Sequence, residues 1–189
     1  MNRQVPLRWA LLAALIMVAG VVAAEDTPAG APTPQPLPCS QDEYRQFDFW
    51  LGRWEVRNPQ GKVVGYNRVA KDYDDCVIRE AYRGKSGYRG ESLNTYDLGR
   101  NLWTQTWVDN QGTLLRLQGQ WEANAMRLAG QVVNESGVQD HRIRWTPLPD
   151  GGVRQLWERR PADQPQGEWT IVFDGWYRKV SAMPSGQSF

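Results

Sequence analysis

The sequence predicts an all-β protein, an antiparallel up-and-down β-barrel of about 8–10 strands with a short N-terminal helix. Apolar and polar residues alternate in short runs from Trp54 onward, which is typical of strands with one buried face. Polar or glycine-containing turns separate these runs at intervals of roughly 8–12 residues. The intervening segments are too short for a helical crossover. We therefore expect hairpins throughout, closed into a barrel that leaves no exposed sheet edge.

The individual elements follow in order along the chain. Ser40 is expected to cap a short helix, with Glu43 completing a capping box and the helix ending before Leu51. Turns such as Asn58-Pro59-Gln60-Gly61 join antiparallel neighbours in proteins. The ten predicted strands cover residues 53–58, 62–73, 76–83, 88–97, 102–109, 113–121, 125–134, 139–147, 152–160 and 168–179.

One folded domain is expected, flanked by segments of different composition. Residues 1–24 predict an export signal, because Arg3 and Arg8 precede an apolar run. Small residues before Glu25 place the expected cleavage between Ala24 and Glu25. An uncleaved membrane anchor is the alternative, although the apolar run is shorter than the roughly 20 residues that span a bilayer. Residues 25–38 are rich in proline and predict a disordered linker. The barrel domain then covers 39–180, and 181–189 form a flexible tail.

The net charge and the absence of known site motifs in the sequence disfavour several classes of partner and of chemistry. The chain has 22 Lys and Arg residues against 21 Asp and Glu residues, a net charge of +1. Loss of Arg3 and Arg8 with the signal leaves 22 − 2 = 20 against 21, or −1. Without a basic field, nucleic-acid binding is disfavoured. The sequence carries no metal-binding, phosphate-binding or nucleophile-elbow motif. We therefore expect the protein to bind no metal and no cofactor. We also expect it to be a monomer, periplasmic or secreted, that does not contact the membrane after the signal is cleaved.

The sequence contains two cysteines, Cys39 and Cys76, which could form a disulfide. Exported proteins fold in an oxidising compartment, where an even number of cysteines favours a disulfide. A disulfide here would attach the segment before the barrel to an early strand, with a stabilisation on the order of 3–4 kcal/mol. The alternative is a pair of free buried thiols.

Several motifs together resemble a known bacterial family. The first is Phe47-Asp48-Phe49-Trp50-Leu51-Gly52-x-Trp54, and later ones are Asp75-Cys76-Val77-Ile78-x-Glu80, Trp103-x-Gln105-x-Trp107 and Phe173-Asp174-Gly175-x-Tyr177. From about Cys39 to Lys179 the chain resembles the family named domain of unknown function 1579, in the lipocalin-like (calycin) superfamily. The resemblance implies a barrel with an internal cavity, and it implies no function.

The resemblance also implies a structural role for the Gly-x-Trp motif. In calycins an arginine of the last strand packs over the opening tryptophan, so Arg178 is expected over Trp54, which follows Gly52 at the start of the first strand. The chain lacks the further glycines that mark the haem-binding nitrobindin relatives. That difference disfavours a haem role.

Strand parity predicts which side chains share the barrel interior, since alternate residues point to the same face. We expect a cavity lined by Trp103, Gln105, Trp107, Trp145, Gln155, Trp157, Glu80, Tyr82 and His141. The rings would supply apolar contact area and the amides would orient a ligand. One alternative is a solid core of packed indoles. Another is inverted parity, with Arg142, Arg144, Arg154 and Glu158 facing an anionic ligand inside.

Three functions are compatible with this pattern. The first is binding of a small, largely apolar or aromatic ligand in the tryptophan-lined cavity. The second is an isomerase or hydrolase that uses His141 or Glu80 as its acid–base group. The third is a periplasmic interaction module with a solid core. Enzymatic activity is the less expected outcome, and no catalytic residue is assigned.

Overall fold

The computed structural model describes residues 37–135 and 137–184, which form a closed antiparallel barrel preceded by two short helical turns. The predicted export signal lies outside the described residues, as do positions 25–36 of the predicted linker and 185–189 of the predicted tail. No helix in the described ranges is long and apolar enough to cross a membrane.

The barrel has ten strands, and every one matches a predicted strand closely. They are β1 (Gly52–Arg57), β2 (Val63–Asp72), β3 (Val77–Gly84), β4 (Arg89–Asp97), β5 (Leu102–Asp109), β6 (Leu114–Glu122), β7 (Ala125–Asn134), β8 (Gly137–Pro147), β9 (Val153–Pro161) and β10 (Thr170–Lys179). Each strand pairs with its sequence neighbours, and β1 closes the barrel against β10 with Trp54 opposite Lys179. The predicted all-β up-and-down barrel is confirmed.

The predicted N-terminal helix is present as two 3-10 turns, Asp42–Arg45 and Asp48–Trp50. The expected capping box is wrong. Gln41 occupies the N-cap position, and no side chain caps the turn. The turn closes instead through a backbone hydrogen bond of 3.0 Å from Tyr44 N to Gln41 O. In so short an i→i+3 turn, few amide groups remain for a capping side chain to satisfy.

These two turns carry aromatic side chains into one end of the barrel. Phe47 stacks on Trp50 with ring centroids 4.9 Å apart. Phe47 also makes T-shaped contacts with Trp103 and Trp145, with ring centroids 5.6 and 5.2 Å apart. All four rings are at most 1% exposed. The aromatic cluster of Phe47, Trp50, Trp103 and Trp145 therefore fills this end, and we call it the closed end.

The opening Trp54 is capped by Lys179 rather than by the expected Arg178. Lys179 Nζ lies 5.4 Å from the centre of the Trp54 ring, within cation–π range. Both cations at the end of β10 are exposed, but strand alternation places Lys179 on the same side as the buried Tyr177 and Arg178 on the opposite side. The Trp54 ring also donates a hydrogen bond of 2.9 Å from Nε1 to the Trp50 carbonyl. It thereby joins β1 to the closed end.

A disulfide between Cys39 and Cys76 is present, with Cα atoms 5.1 Å apart. The alternative of two free thiols is thereby excluded. The bond attaches the segment before the helical turns to the connection between β2 and β3. Arg45 reinforces it, donating hydrogen bonds to the Cys39 carbonyl at 2.9 Å and to Asp75 Oδ2 at 3.2 Å.

Candidate functional site

The half of the barrel away from the closed end holds a cavity of about 920 Å³. Ligand sites in proteins commonly measure about 300–1,000 Å³. Ser86 and Gln111, from two strand connections, and Asn134, at the end of β7, lie at its mouth and are exposed. The barrel is therefore not solid, which excludes the expected alternative of an interior filled with indoles.

Most of the predicted lining residues reach this cavity. Seven of the nine line it: Glu80, Tyr82, Gln105, Trp107, His141, Gln155 and Trp157. Trp103 and Trp145 face inward as expected but belong to the closed end. Strand parity predicts whether a side chain faces the barrel interior, but it does not predict how far along the barrel axis that side chain lies.

The inverted arrangement is wrong, because the charged set lies on the outer face. Arg142 donates a hydrogen bond of 2.8 Å to Glu158 Oε2 on the neighbouring strand. Arg154 forms two bonds, of 2.9 and 2.8 Å, to the Asp174 carboxylate. Cross-strand pairs of this kind are common on the solvent side of a sheet.

Three further aromatic residues of the wall were not predicted: Tyr88, Phe173 and Tyr177. Tyr82 lies 6.1 Å from both Phe173 and Tyr88, and Tyr88 lies 6.3 Å from Trp107, between ring centroids. A continuous row of rings therefore follows one side of the wall. Phe173 and Tyr177 belong to a motif that carried the family resemblance, and their shared parity could have identified them.

Glu80 is the centre of a buried polar network on the cavity wall. The residue is only 3% exposed. Asn67 Nδ2 donates to its Oε1 at 2.8 Å, and Ser92 Oγ donates to its Oε2 at 2.8 Å. Asn94 Nδ2 in turn donates to Ser92 Oγ at 2.9 Å. Both carboxylate oxygens of Glu80 therefore accept a hydrogen bond from a neutral donor.

A backbone carbonyl determines the direction of the hydrogen bonds made by Asn94 and Ser92. Asn94 Nδ2 also lies 3.0 Å from the carbonyl oxygen of Ile78, which can only accept. The Asn94 amide orientation is thus determined, and its Oδ1 accepts from Gln105 Nε2 at 2.8 Å. Ser92 Oγ accepts from Asn94 Nδ2 at 2.9 Å and from Gln105 Nε2 at 3.5 Å, so its own hydrogen is left to point to Glu80. The network is oriented to stabilise an ionised carboxylate.

Burial opposes that ionisation. Removal from water raises the pKa of Glu80 from 4.5 to about 7, although the hydrogen bonds from Ser92 and Asn67 lower it. Nearby, burial and the charge of Glu80 raise the pKa of Tyr82 to about 12, so its hydroxyl stays protonated. Glu80 is thus a carboxyl group on the wall of the cavity, and it titrates near neutral pH.

His141 lies on the cavity wall, where the indole N–H of Trp157 holds it in one tautomer. Trp157 Nε1 donates to His141 Nδ1 at 2.9 Å, so the neutral ring carries its proton on Nε2. Burial and the positive charge of Arg159 lower the pKa of His141, while Asp140 raises it to a lesser extent. The side chain is therefore a neutral hydrogen-bond donor at neutral pH.

A second carboxylate, Asp109, lies near the mouth. It accepts hydrogen bonds from Tyr88 Oη at 2.8 Å and Trp107 Nε1 at 3.2 Å. Burial raises the pKa of Asp109, but its hydrogen bonds outweigh that effect and lower the pKa overall. Unlike Glu80, this carboxylate remains ionised at neutral pH and holds the rings of Tyr88 and Trp107 in place.

Comparison with known proteins adds no assignment. No family model matches the chain, and no curated protein matches it. In the described part of the chain, no group of three or more His, Cys, Asp or Glu residues could hold a metal ion.

Proposed function

We propose that the barrel binds a small, largely apolar or aromatic molecule in its open cavity. The observation that carries the proposal is an inner space of about 920 Å³ whose wall includes a continuous row of aromatic rings. Apolar walls with a few convergent polar groups are typical of small-molecule sites. Here Glu80, Gln105, Gln155 and His141 are among those polar groups. Membership of the domain of unknown function 1579 family is part of the same proposal.

We also propose that the protein is exported, to the periplasm or outside the cell, and acts as a monomer. The predicted signal and the disulfide between Cys39 and Cys76 support export, because stable disulfides are typical of oxidising compartments. A ligand-binding protein at that location could take up a molecule directly from outside the cytoplasm.

Native mass spectrometry tests the binding proposal directly. The mature protein, beginning at Glu25, would be purified from its native compartment and its mass compared before and after denaturation. We expect a stoichiometric small molecule that is lost on denaturation. A titration with phenylbutanol, a neutral aromatic probe, gives a second measurement through quenching of tryptophan fluorescence.

A pair of variants assigns that binding to the cavity. Trp157→Ala removes a ring from the cavity wall, and we expect it to weaken phenylbutanol binding by about tenfold. Trp176→Ala is the matched control, because this ring lies on the outer face of the adjacent strand and packs against Arg154. Equal affinities for the two variants, with circular dichroism showing both folded, would contradict binding in the cavity.

Proton-transfer catalysis is a second candidate function, and one observation favours it. Glu80 lines the cavity and titrates at about 7, and an acid–base catalyst works best when its pKa is near the operating pH. The small molecule that is released from the native protein on denaturation would be incubated with fresh protein in D2O. Carbon-bound deuterium that appears with the wild type and not with Glu80→Gln would support an isomerase. Equal incorporation by both proteins would exclude Glu80 as the base.

A further inference from the structure

We propose that the cavity selects a cationic ligand, an organic amine whose ammonium group binds the carboxylate of Glu80 while its apolar body lies against the aromatic wall. This inference rests on the proposed function and names the ligand class. The geometry of Glu80 and its surroundings carries it.

Glu80 has no counter-charge among the described residues. None of the ion pairs of the described chain includes Glu80. Its direct hydrogen-bond partners, Asn67 and Ser92, are neutral. Buried charges in proteins are normally paired with an opposite charge, because neutral donors only partly replace the lost hydration. A cation in the cavity would complete the set.

The hydrogen-bond network around Glu80 is oriented toward an ionised carboxylate. The Ile78 carbonyl determines the Asn94 amide, and Asn94 makes Ser92 a donor toward Glu80. A protonated Glu80 would need an acceptor facing one of its oxygens. Ser92 Oγ already accepts from Asn94 Nδ2 and from Gln105 Nε2, so it faces Glu80 as a donor, and Asn67 Nδ2 donates to the other oxygen. The site is therefore built for a carboxylate, which prefers an ammonium to a neutral group.

Aromatic rings line the cavity together with the charge of Glu80. The rings of Tyr82, Trp107 and Phe173 line the same cavity, and the negative face of an aromatic ring attracts an organic cation. A carboxylate or phosphate group would instead meet repulsion from Glu80. Arg159 also borders the cavity, but its exposed side chain is screened by solvent.

Isothermal titration calorimetry with three related probes tests the inference. Phenylbutylamine, phenylbutanol and phenylbutanoate share one aromatic body and differ only in the terminal group. The titrations use the mature protein, at a pH above the pKa of Glu80 and below that of the ammonium. We expect the amine to bind about tenfold more tightly than the alcohol, since hydrogen bonds between charged groups are stronger than neutral ones. The carboxylate should bind most weakly.

Two variants separate Glu80 from general electrostatic attraction. Glu80→Gln keeps the shape of the side chain and should remove the preference for the amine. Glu91→Gln is the matched control, because this carboxylate on the next strand is exposed and pairs with Arg79 on the outer face. The preference should be unchanged in that variant.

The outcomes distinguish this inference from the proposed function. Equal binding of the amine and the alcohol by the wild type would overturn the cation inference and leave ligand binding intact. A preference that persists in a folded Glu80→Gln variant would overturn it as well. If none of the three probes binds, both the inference and the proposed apolar-ligand function are wrong. If Glu80→Gln does not fold, the order of affinities in the wild type decides alone.

Discussion

Replacing Glu80 with glutamine should change how the stability of the protein depends on pH. Burial raises the pKa of this carboxyl from 4.5 to about 7 in the folded protein. Between these values the folded state holds a proton that the unfolded state has lost. The contribution of Glu80 to stability is therefore fully present below the unfolded pKa and is lost as the pH rises through the folded pKa.

The size of the effect follows from the two pKa values. For one group, linkage gives a loss of about 2.5 kcal/mol in the free energy of unfolding between about pH 5 and about pH 8. The amide of the Glu80→Gln variant cannot titrate, so the variant should not lose this amount. His141 titrates in the same range with the opposite sign, because its pKa is lowered on folding, and it does so in both proteins. The difference between wild type and variant isolates Glu80.

Urea unfolding followed by tryptophan fluorescence, with the disulfide intact, measures this difference at several pH values. The stability of Glu80→Gln minus that of the wild type should increase steadily from acidic to mildly alkaline pH. The exposed-site variant Glu91→Gln should show no such trend. Parallel curves for wild type and Glu80→Gln would mean that burial does not shift the carboxyl, and the reasoning would be refuted.

Three further perturbations test other parts of the structure. Reduction of the disulfide, whose cysteines are 37 residues apart, should lower the free energy of unfolding by about 4 kcal/mol; an unchanged urea midpoint would contradict this. Lys179→Ala should cost about 0.5–1 kcal/mol through loss of the cation–π contact, whereas Arg178→Ala should cost nothing measurable. Gly90→Ala would place a Cβ in steric conflict with the Trp107 ring, so we expect about 1–3 kcal/mol of destabilisation and weaker phenylbutanol binding by calorimetry. Gly99→Ala, with its nearest neighbour at 3.5 Å, is the control.

The sequence contains enough information to predict the strands because alternation and turn composition are local properties. The errors occur where backbone geometry departs from those patterns. The second strand was expected to continue to residue 73, but Tyr73, Asp74 and Asp75 have positive φ angles of 50°, 54° and 69°. That turn ends β2 at Asp72 and delays β3 to Val77.

The cavity could be predicted less completely than the strands. Parity correctly gave the inward faces of β3, β5, β8 and β9, but depth depends on where the N-terminal turns insert, which no local pattern encodes. A register shift between Ile171 and Phe173 interrupts the alternation in β10. The resemblance predicts Arg178 over Trp54. The shared parity of Tyr177 and Lys179 instead indicates Lys179, whose Nζ lies over the Trp54 ring.

The arrangement of the polar residues supports the proposal that the cavity binds a ligand. Asn67, Glu80, Ser92 and Gln105 come from four adjacent strands, and Glu80 lies opposite Ser92 in the register. Replacing a buried polar network with well-packed apolar side chains is often neutral or stabilising. The closed end of the same barrel is filled by aromatic rings packed with aliphatic side chains of the core. Ligand recognition gives a reason to keep a carboxylate and its donors in the other half.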